Sequence, residues 1–162
     1  MLIRFLKIVF VGLISLLCLF YAAQNVANLE ACYQAFAYVL GAADHQVYPD
    51  SIFPAIQSTV VIWLVLILVV SLEFAAGLLA AKGAWDLWRV RTASAAEFND
   101  AKTYALVGCG TGIVVWLGFF AVFGGALSQM WQTEIGGASM DDAFQFFVAC
   151  AFVFLIVSSA DN

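Results

Sequence analysis

Few residues in this sequence have side chains that could do chemistry, and they do not cluster. Glu73 is the one clearly ionisable side chain inside an apolar run, the stretch from Ala55 to Ala81. A carboxylate at membrane depth costs about 3 kcal/mol even on the lenient insertion scale, so such a group faces inward, is protonated, or pairs with a partner. Two roles stay open: a proton or cation site, or a carboxyl group hydrogen-bonded to a neighbouring helix or subunit. The single histidine, His45, stands near Asp44 and Asp50 in a polar segment. Two carboxylates and an imidazole form a possible polar site, but they fall short of a zinc-binding pattern, and no metal is expected.

Nucleophilic catalysis needs a nucleophile, a base and an orienting group that can meet. The only histidine has no adjacent candidate partner, and the phosphate-binding loop, G-x-S-x-G and H-E-x-x-H patterns do not occur. Catalytic residues are therefore expected to be none, and an enzyme is not expected. No histidine lies in an apolar run to ligate haem, and no cofactor is expected. Cys18, Cys109 and Cys150 lie in apolar runs and Cys32 in a polar one, without a C-x-x-C pair, which is the usage of small buried residues.

The elements that position these residues follow from the hydropathy. Of the 162 residues, 65% are hydrophobic and 10% charged. A soluble domain carries about 25% charged residues, so the surplus apolar surface here must meet lipid or protein. Six Lys and Arg against a net charge of −5 leave no basic patch for nucleic acid. Four apolar runs, 5–23, 55–81, 104–126 and 143–159, predict transmembrane helices. Arg4 and Lys7 at the start of the first also fit a signal peptide, but Tyr21-Ala22-Ala23 is a poor cleavage site and the run is read as an uncleaved helix.

Local signals refine the boundaries. Pro54 suits the first turn of the second span. Ser94-Ala95-Ala96-Glu97 is a capping box before the third, and Ser139 with Asp142 repeats the pattern before the fourth. Gly124-Gly125 is expected to end the third helix. Leu29, Tyr33, Phe36, Ala37 and Leu40 recur at helical spacing, predicting an amphipathic helix on the membrane or against the bundle. Gly108 and Gly112 form a small-xxx-small face that lets another helix approach, with the intrachain bundle the expected user. The expected fold is a single all-α domain: a four-helix transmembrane bundle with a short amphipathic helix in the first periplasmic loop.

Orientation follows from charge. Arg4 and Lys7 stand at the start of the first span, and Lys82, Arg89, Arg91 and Lys102 lie between the second and third; segments 24–54 and 127–142 carry no cation. The positive-inside rule then places both termini in the cytoplasm.

Several pieces of the chain resemble one family. They are Asn25 and Asn28, Tyr38-Val39-Leu40 with Asp44, Pro49-Asp50-Ser51, Glu73, Leu87-Trp88-Arg89, Phe98-Asn99-Asp100-Ala101-Lys102, Gly124-Gly125, Met130-Trp131-Gln132 and Ala143-Phe144-Gln145-Phe146-Phe147. With these the sequence resembles the bacterial predicted small integral membrane proteins, domain of unknown function 2165. Family members often carry an acidic residue and an aromatic where this chain has Ala126-Leu127, and His-Val-Leu where it has Tyr38-Val39-Leu40. The resemblance implies a multi-pass protein of the bacterial inner membrane and supplies no activity. The expected function is a non-catalytic accessory or scaffold subunit that binds other membrane proteins, or itself as a homo-oligomer. The alternative is a small dimeric proton-coupled transporter using Glu73.

Overall fold

The computed structural model describes residues 1–161 and contains, among them, helices and no strands. Helix α1 (Leu2–Ala27) runs through the first apolar segment, and α2 (Leu29–Leu40) follows after a single residue. Asn28 is the joint: its backbone N–H and its side-chain amide both donate to the carbonyl of Gln24, at 3.0 and 2.9 Å. The two helices therefore make one bent rod. Of the two positions expected for α2, packing selects the bundle, because Tyr33 stacks on Trp63 of the next helix with ring centroids 4.9 Å apart.

Helix α3 (Thr59–Arg89) is the central element, packed against α1, α2 and α5. It starts after Pro54, which lies in an extended link and not in the first turn. The reason is a backbone bond: the N–H of Ile56 donates to Leu40 at 2.8 Å, holding the link alongside the end of α2. At its other end α3 continues past Ala81 to Arg89, through a polar-aromatic stretch that a hydropathy window misses. Lys82 and Asp86 pair across one turn at 2.6 Å there, and Trp85 and Trp88 are exposed.

Next come the short α4 (Ala95–Asp100) and α5 (Thr103–Ile113), continued by a π-helical segment, Val114–Leu127. The capping box opens α4 as the sequence predicts, with both reciprocal bonds formed between Ser94 and Glu97. Gly124-Gly125, in contrast, do not end their helix. They lie inside the π segment, where a Cβ on Gly124 would collide with the Met130 sulfur and one on Gly125 would come within 2.6 Å of Met140. The turn is made by Gln129, left-handed at φ 54°.

After a 3₁₀ turn at Met130–Gln132, α6 (Glu134–Ser158) returns through the bundle. It begins before Ser139, capped by Thr133, whose hydroxyl accepts from the Gly136 N–H at 3.0 Å. Ser139 is inside the helix, bonded back to the Ile135 carbonyl. The fourth hydrophobic element is thereby 25 residues long and not marginal for crossing a bilayer. Four helical stretches, Leu2–Ala27, Thr59–Arg89, Ala95–Leu127 and Glu134–Ser158, are long and apolar enough to span a membrane.

Close helix approach is made by small residues. A Cβ on Gly108 would stand 2.5 Å from the Ala80 nitrogen, and one on Gly83 would overlap the backbone of Ala105. A Cβ on Gly77 would lie 2.6 Å from Leu19 of α1. Helix α3 thus touches both neighbours nearly backbone to backbone.

Candidate functional site

Glu73 projects from the middle of α3, fourteen residues from Thr59 and sixteen from Arg89, or roughly 21 and 24 Å along the axis. The sequence places it nearer one end, within two turns, because it stops the span at Ala81. Only 2% of its surface is exposed. Its Oε2 accepts from the side-chain amide of Asn25 at 3.0 Å, a bond between helices whose residues are 48 apart in sequence. One turn further along α3, the hydroxyl of Ser15 donates to the carbonyl of Gly77 at 2.8 Å. Helices α1 and α3 are therefore stitched by two buried polar bonds. Sequence reasoning found Glu73 but not its partners, because an Asn near a helix end and a lone Ser are common in membrane helices.

Asp44, His45 and Asp50 do not form a cluster. Asp44, left-handed at φ 59°, accepts from the hydroxyl of Tyr38. That bond, with burial and the acidic charges of Asp44 and Glu134 adding to it, raises the Tyr38 hydroxyl above its ordinary pKa. The Nε2 of His45 is enclosed without a hydrogen-bond partner among the described residues. Asp50 contributes its backbone carbonyl to Gln129 at 3.5 Å. No group of three or more potential metal ligands is gathered among the described residues.

The polar residue that organises this end is Gln132. Its Oε1 accepts from the N–H groups of Val47 and Tyr48 at 2.9 and 2.8 Å. Its amide donates to the Tyr48 carbonyl and to the Gln129 side chain at 3.1 and 2.7 Å. Beside it, Tyr48 meets Trp131 edge to face at 5.3 Å. The loop after α2 is thus fastened to the turn before α6.

The opposite end carries both termini and a second polar network. Asp161 binds two ammonium groups, Lys7 at 2.6 Å and Lys102 at 2.7 Å, with all three side chains nearly buried. Both lysines also donate to the Ser159 carbonyl, and Asn99 bonds the backbone of Asp161 on both sides. Arg4 reaches the carbonyl of Ala93 at 2.7 Å. Burial alone would raise the Asp161 pKa, but the hydrogen bonds and charges of Lys102 and Lys7 outweigh it and hold the carboxyl below its ordinary range.

Cys18, Cys109 and Cys150, from α1, α5 and α6, are fully buried and free, and Cys32 is half-buried. A Cβ on Gly112 would stand 2.9 Å from the Cys150 sulfur, so that glycine makes room for α6.

The family profile of predicted small integral membrane proteins, domain of unknown function 2165, matches residues 3–160. The chain belongs to this family. No curated protein and no solved structure matches it. Family membership and four long apolar helices make this an integral membrane protein. The match spans the Glu73–Asn25 bond and the Gln132 network, and takes in Lys7, Asn99 and Lys102 of the other network but not Asp161.

Proposed function

We propose that the protein is a non-catalytic subunit or scaffold of the bacterial inner membrane that binds other membrane proteins, with both termini in the cytoplasm. The observation that carries this reading is the closure of Glu73: a carboxyl bonded to Asn25 and 2% exposed serves helix packing, not passage of a substrate. An apolar cavity lined by Phe36, Val65, Val69 and Phe123 does not include Glu73 in its wall. A second support is the fastened loop, which holds Val47, Tyr48 and Ile52 out of the core, with Ile52 90% exposed. Apolar side chains presented on a braced segment are what a partner surface requires. The orientation rests on the six cations Arg4, Lys7, Lys82, Arg89, Arg91 and Lys102, and is supported by the bonds of Arg4, Lys7 and Lys102 at the end bearing the termini.

Extraction in a gentle detergent followed by native mass spectrometry tests the reading. The expected result is a fixed-stoichiometry complex with another integral membrane protein, retained in Glu73→Gln and lost when Val47 and Ile52 are both changed to Asp. A homodimer alone, with proton uptake into reconstituted vesicles that Glu73→Gln abolishes, would overturn it in favour of a transporter.

A further inference from the structure

An apolar cavity of about 280 Å³ lies between α2, the link after it, α3 and the π segment. Its lining includes Phe36 and Val39 of α2, Val65 and Val69 of α3, and Phe119 and Phe123 of the π segment. The polar side chains on its wall are two hydroxyls, Ser128 and Ser139. The volume is nearly twice the ~150 Å³ at which a hydrocarbon-lined cavity in a soluble protein stays dry and takes up benzene. Water is therefore a poor occupant, and an empty space would forfeit the dispersion contacts of six or more large side chains.

Two further observations point to a ligand and to its kind. First, the wall that closes the cavity is π-helical over 14 residues, with a five-residue backbone bond from Ser128 N–H to the Phe123 carbonyl at 2.9 Å. Such geometry is rare, is usually confined to one turn, and recurs at functional sites. Here the wider turn sets Phe119, Phe123 and Leu127 four apart along the cavity wall. Second, the cavity reaches the protein surface. Phe123 and Ile135 line it and are also 53% and 44% exposed. Val65 and Val69 lie six and ten residues into α3, roughly 9 and 15 Å from its start. At that depth the medium outside a spanning helix is the acyl region of the bilayer.

The size excludes a helix from a partner or a second copy, since a cylinder about 10 Å wide would fill this volume within roughly 4 Å of its length. An extended hydrocarbon chain is thin enough to enter. We propose that the cavity holds one acyl chain of a phospholipid from the leaflet opposite the termini, with its glycerol end toward Ser128 and Ser139. The π segment widens the bundle to admit it. The assignment is independent of any protein partner.

The test is photolabelling of the full-length protein reconstituted in phosphatidylethanolamine–phosphatidylglycerol vesicles, using a phosphatidylethanolamine with a diazirine in one acyl chain. Adducts are mapped by mass spectrometry. Phe119, Phe123 and Val39 are expected to be labelled several-fold above Phe152 and Leu155, which are exposed on α6 away from the cavity. Ala35→Phe and Leu127→Trp, two independent ways of filling the cavity, should each reduce that labelling at least tenfold and leave α6 labelling unchanged. Labelling of the cavity wall no higher than that of α6, or undiminished in whichever filled variant folds, would overturn the proposal. So would complete displacement by a small molar excess of a polyprenyl alcohol that leaves saturated phospholipid unable to compete.

Discussion

Two residues test opposite kinds of electrostatics. At Glu73 the side chain accepts one hydrogen bond from a neutral amide, so an acceptor of the same shape should suffice. Glu73→Gln is expected to keep thermal stability in detergent within about 1 kcal/mol, whereas Glu73→Leu strands the Asn25 amide and costs about 1–3 kcal/mol. Equal losses would mean that charge, not the bond, matters there. Asp161 is the reverse case, because its charge is required by two buried lysines. A carboxyl held below its ordinary range contributes stability that is fully present above the unfolded value of about 3.9 and is lost as pH falls through the lower folded value. Acid below about pH 4 should therefore free the end of the chain, seen as a loss of hydrogen-exchange protection, relative to the intrinsic rate at each pH, at residues 158–161. Asp161→Ala should do so at pH 7 and cost about 3 kcal/mol, the usual loss when a buried ion pair keeps only one sign of charge. Protection factors that stay flat from pH 7 to 3 would remove the argument.

Elements meet here through glycines whose surroundings differ, and the same substitution should have opposite effects. A Cβ on Gly12 would meet nothing within 4 Å, so Gly12→Ala gains helix propensity and is expected to be neutral or to stabilise by about 0.5–1 kcal/mol. Gly83→Ala and Gly108→Ala push α5 off α3 and should each cost about 1–3 kcal/mol. Unfolding in a mild-detergent titration ranks them; a stabilised Gly108→Ala would contradict the packing seam. Loop and turn are joined chiefly through Gln132, with three hydrogen bonds to Val47 and Tyr48, beside a longer bond from Gln129 to the Asp50 carbonyl. Gln132→Ala should speed amide exchange at Val47 and Tyr48 by tenfold or more without altering the spans. Protection that persists would show that the Tyr48–Trp131 contact and the Gln129–Asp50 bond suffice without Gln132.

For the whole molecule, the proposed orientation predicts which surfaces meet which compartment. In a Cys32→Ala background, Ile52→Cys is expected to react with a membrane-impermeant maleimide added to spheroplasts, and Thr92→Cys only after lysis. The three buried cysteines should stay silent in both. The reverse pattern would invert the topology while leaving the fold intact. Such a result would also move the acyl-chain cavity to the other leaflet, since it is tied to the end opposite the termini.

Composition and period were enough for the membrane class, the four apolar helices, the residues of α2 and the capping box of α4. Each depends on local chemistry: apolar length, helical spacing, or a serine and a glutamate three residues apart. The same local reasoning misplaced what depends on contacts distant in sequence. Pro54 looks like a helix start until Leu40 claims the Ile56 N–H. Gly124-Gly125 look like a terminator until Met130 and Met140 fill the space beside them. Glu73 was legible as a buried carboxyl because its cost is intrinsic, but Asn25, Ser15 and the Lys7–Asp161–Lys102 triad were not, because nothing in a linear sequence brings them together. The π segment and its cavity were equally hidden, since apolar residues satisfy any helical pitch. Hydropathy determines which segments leave water; only tertiary packing decides where each helix ends, which polar groups meet, and what space is left between them.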